Sequence, residues 1–88
     1  MKKIEKGIDV LCVFSEGTAP PMPRKFKIKY RNGTIKTVSV DQVKLVENNL
    51  PLGLHNYVFH CASEIEECLI EYELRYFVNE MRWELFKV

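Results

Sequence analysis

Polar and apolar residues alternate one by one over most of this chain. Near the C-terminus, Ile70, Tyr72, Leu74, Tyr76 and Val78 occupy every second position, with Glu71, Glu73, Arg75 and Phe77 between them. A period of two belongs to a pleated strand, whereas a helix would scatter these residues around its circumference. Helical signals compete in the same region. Ser63-Glu64-Ile65-Glu66 matches a capping box, Ile65, Leu69, Tyr72 and Tyr76 recur at helical spacing, and Glu71 and Arg75 stand four apart. They define the alternative, an α+β chain with a C-terminal helix. The hairpin explains more. A turn at Asn79-Glu80 pairs Val78 with Met81, Tyr76 with Trp83 and Leu74 with Leu85 on one face. On the other face it pairs Arg75 with Glu84 and Phe77 with Arg82. Each such pair contributes about 0.2–1 kcal/mol.

The same alternation runs through Lys25–Val40. Phe26, Ile28 and Tyr30 alternate with Lys25, Lys27, Lys29 and Arg31, and Val38 and Val40 alternate with Thr37 and Ser39. Asn32-Gly33 marks the turn. A two-residue loop would set Phe26 opposite Ser39. A three-residue loop, Arg31-Asn32-Gly33 with Gly33 left-handed, pairs Tyr30 with Thr34 and Phe26 with Val38. One residue of slip turns over the whole apolar face, so burial selects the three-residue loop.

Ile8–Phe14 reads as a strand covered on both faces, or as one in a closing barrel. Ser15–Pro23, with three prolines and a glycine, reads as a loop, as does Asn48–Asn56. Gln42–Asn48 continues the Val-rich strand after a bend at Asp41–Gln42, and Tyr57–Ser63 forms another strand. The expected fold is one all-β domain over residues 1–88. It is an antiparallel meander of about six strands, curled into a small open barrel or coiled sheet.

Composition narrows this picture little. The chain has 88 residues, 47% hydrophobic and 28% charged, enough for one thin core and unlike a disordered chain. Its apolar runs are too short to span a membrane, and the lysine-bearing start lacks a signal-peptide core, so a cytoplasmic location is expected. Cys12, Cys61 and Cys68 make an odd count, which suits free thiols.

Charge changes the picture more. Residues 1–44 carry ten basic and four acidic residues, a surplus of six; residues 45–88 carry three basic and eight acidic, a deficit of five. Complementarity between neighbouring strands is the simplest use. Lys25, Lys27, Lys29 and Arg31 share one strand face at intervals of about 6.6–7 Å, with Lys36 expected nearby. Such a row suits the phosphates of nucleic acid, with Tyr30 available to stack a base. The competing reading makes it an edge-strand guard, or the partner of Glu71 and Glu73. Phe77, Arg82, Phe86 and Val88 suggest a second covered face for a partner or a second copy. His55, His60, Cys61 and Cys68 fit no closed zinc spacing, and adjacent His60 and Cys61 point to opposite faces. No nucleophile–base motif or phosphate loop stands out, so neither a cofactor nor catalysis is expected.

The segment from Pro23 to Val88 resembles short bacterial proteins of unknown function. Their pattern falls here on Pro23, Phe26, Gly33, Phe59, Cys61, Glu73, Leu74, Tyr76, Trp83, Leu85 and Val88. The resemblance implies a compact β-domain with a C-terminal hairpin and brings no activity. The expected role is a non-enzymatic protein-interaction module, with nucleic-acid binding through the lysine row as the alternative.

Overall fold

Alternation along the chain becomes seven antiparallel strands in one open half-barrel sheet. The computed structural model describes residues 1–17 and 20–88; Thr18 and Ala19, within the expected loop Ser15–Pro23, lie outside the described residues. The strands are β1 (Lys3–Val13), β2 (Met22–Lys29), β3 (Ile35–Ser39), β4 (Gln42–Asn49), β5 (Asn56–Ile65), β6 (Cys68–Phe77) and β7 (Arg82–Lys87). A 3-10 turn, Pro51–Gly53, lies between β4 and β5. Among the described residues, no helix is long and apolar enough to cross a membrane.

The order across the sheet is β3-β2-β1-β7-β6-β5-β4: consecutive strands pair as in the expected meander, the first and last strands close on each other, and the sheet is open between β3 and β4. β1 and β7 pair in the middle, from Lys3–Lys87 to Ile8–Trp83. Two locally wound wings, β1–β3 and β4–β7, are thereby joined along one seam. The expected sixfold count becomes seven because the Val-rich strand breaks at Val40–Asp41. Before the break it pairs with β2, and after it with β5, so the two edges of the sheet meet at this corner.

Ser63 pins the corner. Its hydroxyl donates to Ser39 O at 2.6 Å and accepts from Asp41 N at 3.3 Å. The Tyr72 hydroxyl, 2.5 Å away, then donates to it. The Asp41 carboxylate accepts from Glu64 N at 2.8 Å. A buried serine with every polar contact met can hold such a bend at little cost.

Both hairpin registers follow the side-chain pairing. Phe26 stands opposite Val38, Gly33 is left-handed at φ 87°, and Tyr30 N donates to Thr34 O at 2.8 Å. Tyr76 stands opposite Trp83 and Leu74 opposite Leu85, with their turn widened to Val78–Met81. The capping box at Ser63–Glu66 caps nothing. β5 and β6 extend toward each other and meet in a two-residue turn, Glu66-Glu67, with both residues left-handed at φ 50° and 66°. The concave face buries Phe26, Val38, Phe59, Cys61, Tyr72, Leu74, Tyr76, Trp83 and Leu85. Trp83 packs its ring 5.2 Å from Phe59 and 4.9 Å from Tyr76.

Candidate nucleic-acid interface

Inward burial of Phe26 and Ile28 leaves Lys25, Lys27 and Lys29 on the convex side of β2, all exposed. Arg31 continues the row into the turn. Cross-strand neighbours on this side are Leu11 and Ser39 beside Lys25, Asp9 and Thr37 beside Lys27, and Ile35 beside Lys29. Lys36 does not join them. It pairs with inward-facing Ile28, lies on the other side of β3, and reaches Glu66 at 3.5 Å.

Neither competing account of the lysine row matches this geometry. β2 is flanked by β1 and β3, so its lysines guard no edge. The acids proposed as their partners are engaged elsewhere. Lys44 hydrogen-bonds Glu71 at 2.7 Å and holds its carboxyl below the usual carboxylate range. Glu73 lies 3.6 Å from His60 Nδ1. Among the described residues, Lys25, Lys27, Lys29 and Arg31 make no ion pair. The charge asymmetry of the sequence therefore persists in space. Residues 1–40, which build the β1–β3 wing, hold nine basic and three acidic residues, a surplus of six. Residues 41–88 hold four and nine, a deficit of five.

Two depressions mark this face. The β1–β2 ladder runs from Val13–Met22 to Asp9–Lys27. Beyond it a fork opens, and the Lys6 ammonium bridges it by donating to Lys29 O. The fork opens a depression of 410 Å³ among Lys6, Gly7, Asp9, Lys27, Lys29, Ile35 and Arg82. Space above Gly7 is open, with no atom within 4 Å of where a Cβ would stand. Arg82 forms the far wall and shares its charge with Glu80 at 2.9 Å and Glu84 at 3.5 Å. A second depression of 370 Å³ lies alongside, among Asp9, Leu11, Lys25, Lys27 and Thr37. Sequence reasoning missed Gly7, Leu11, Ile35 and Thr37 as parts of this face, and Lys6, which stands opposite buried Leu85 in step with inward-facing Ile8, as a residue that reaches the fork. Gly7, an unusual residue inside a strand, was the available signal.

The other expected face is closed by the protein's own side chains. The Arg75 guanidinium lies 4.0 Å from the Phe86 ring centre and 4.8 Å from that of Phe77, and it pairs with buried Glu84. Arg82 covers Phe77 at 4.1 Å. Val88 is not part of this layer. A bulge in β7 places the pairing Glu73–Lys87 one residue out of step with Leu74–Leu85, so Phe86 and Lys87 both face outward and Val88 turns away. A different apolar feature stands out instead. Leu50, Leu52 and Leu54 project from the loop after β4, and Leu52 is fully exposed and left-handed at φ 49°.

The histidines and cysteines are dispersed. His55 bonds Asn48 Oδ1 at 2.6 Å. His60 Nε2 stands 3.2 Å from Glu47 Oε1, out of line for a hydrogen bond. Cys61 is buried, and desolvation pushes its thiol up to about 12, so it stays protonated at neutral pH. Cys68 is exposed beside the Glu66-Glu67 turn. Among the described residues, no three His, Cys, Asp or Glu side chains form a metal-binding group. Comparison of the chain with protein-family models, curated proteins and solved structures gave no match.

Proposed function

We propose that this protein is a non-catalytic accessory domain that binds nucleic acid through the convex face of β2. One observation carries the reading: three exposed lysines stand in a row on an interior strand and, among the described residues, none makes an ion pair, with Asp9 opposite Lys27 the one acid across the ladder. Lysines without a counter-charge attract phosphates and release their counterions. Concentration of the positive charge in one wing offsets the near-neutral total at short range, within a Debye length of about 10 Å in 0.1 M salt. Three free thiols suit the reducing cytoplasm proposed as its setting.

Fluorescence anisotropy with a labelled oligonucleotide at low salt tests this. Binding at micromolar protein is expected, with a slope of log affinity against log salt of about −2 for three phosphate contacts to a single strand. Lys25→Glu, Lys27→Glu and Lys29→Glu combined should abolish binding with an unchanged dichroism spectrum. Absence of binding at high micromolar protein, or indifference to the triple charge reversal, overturns the reading.

A second reading, self-association as a protein-interaction module, is favoured by the exposed left-handed Leu52 between Leu50 and Leu54. Backbone strain of about 1–3 kcal/mol at such a residue is common where a loop binds. Light scattering at high concentration should then show a dimer that Leu52→Asp dissociates. A monomer throughout rejects it.

A further inference from the structure

Resting on the nucleic-acid reading, we infer that the ligand is single-stranded, and that one nucleotide is held across the two depressions beside Lys27. The fork takes the phosphate. Lys6, Lys27 and Lys29 converge there, and Gly7 leaves the floor open for close approach. The neighbouring depression takes the base. Exposed Leu11, 65% accessible, and the stems of Lys25 and Lys27 offer an apolar surface, with Thr37 and Asp9 as polar contacts at its border. Asp9 lines both depressions and repels phosphate, which keeps the backbone toward the Lys29 end of the fork and leaves a carboxylate to accept a hydrogen bond from a base or sugar.

Two features exclude a duplex as the preferred ligand. The outer face of a half-barrel is convex, so a stiff double helix meets it along only one backbone. Exposed aliphatic residues on both flanks of the row, Leu11 and Ile35, serve unstacked bases and have no role toward paired ones.

The test compares three labelled probes of equal length at one salt concentration: oligothymidylate, the same strand with every base removed, and its duplex with oligodeoxyadenylate. Oligothymidylate should bind about five-fold or more tighter than either of the others, the contribution of a base resting on an apolar surface. Leu11→Ser, at an exposed position that does not support the core, should reduce oligothymidylate affinity to that of the abasic strand without changing the salt slope. Lys27→Glu should weaken all three probes. Equal affinity for intact and abasic strands, or a duplex bound as tightly as the single strand, overturns this inference while leaving backbone binding intact. Failure of all three probes to bind removes the parent reading itself.

Discussion

The two wings of the sheet use charge in opposite ways. In the β4–β7 wing, cations are consumed internally. Arg75 is stacked between two phenylalanines and paired with Glu84, Lys44 is tied to Glu71, and Arg82 is shared between Glu80 and Glu84. In the β1–β3 wing, the lysines of β2 stand unpaired among exposed aliphatic residues. The core is divided as unevenly. Seven of its nine buried members belong to β5, β6 and β7, and only Phe26 and Val38 to the other wing. One wing thus supplies most of the stability, and the other holds uncompensated charge on a frame it does little to support. Surface ion pairs add only about 0–1 kcal/mol each, so leaving lysines unpaired costs the fold little.

The largest effect that would break this contrast is expected from alkali. Burial pushes both Cys61 and Tyr72 up to about 12 from ordinary values of 9.0 and 10.0. Both groups belong to the β4–β7 wing. Each prefers its neutral form in the fold, so its contribution is complete below pH 9, declines as pH rises between 9 and 12, and is lost above. Unfolding followed by Trp83 fluorescence across that range should show a steep fall in stability. A flat profile to pH 12 would contradict the burial of these groups.

Truncation comes next. Leu74→Ala, at a position with no exposed surface, should cost about 2–5 kcal/mol in urea unfolding. Ile35→Ala, 58% exposed on the other wing, should change stability by less than about 0.5 kcal/mol. Ser63→Ala strips the Tyr72 hydroxyl and Ser39 carbonyl of their shared partner and should cost about 1–3 kcal/mol. One modest effect has the opposite sign. Glu67→Gly, at φ 66° in a two-residue turn, should stabilise by about 0.4–1 kcal/mol, read as a raised urea midpoint.

What the sequence revealed and what it hid divide along the same physical line. Pairings between strands joined by short turns were legible, because each turn admits few registers and only one buries Phe26 against Val38 or Tyr76 against Trp83. Lys36 shares the parity of Val38, so its inward side was legible too, and the expectation of a fifth cation on the lysine face ran against that alternation. The β1–β7 seam was not legible, since no turn constrains two strands at opposite ends of the chain. The bulge at Phe86 that redirects Val88 left a trace, because adjacent apolar Leu85 and Phe86 break the alternation and Val88 resumes it one residue out of step, but one break does not say which side chain turns. Of the candidate site, the lysine row was visible in the alternation. The fork and its neighbouring depression were not, since they depend on where the β1–β2 ladder stops.

The central seam also dictates how the molecule must assemble. The pairing of Lys3 with Lys87 brings together residues 84 positions apart, whereas every other ladder closes through a nearby connection. Loop closure over such a separation is entropically costly and slow. Each wing can zip from its own turns, but the acidic and basic halves become one sheet only when the two ends of this sequence find each other. Until then β1 and β7 each present an unpaired edge, and the folding chain is at its most prone to pair with a neighbour instead of with itself.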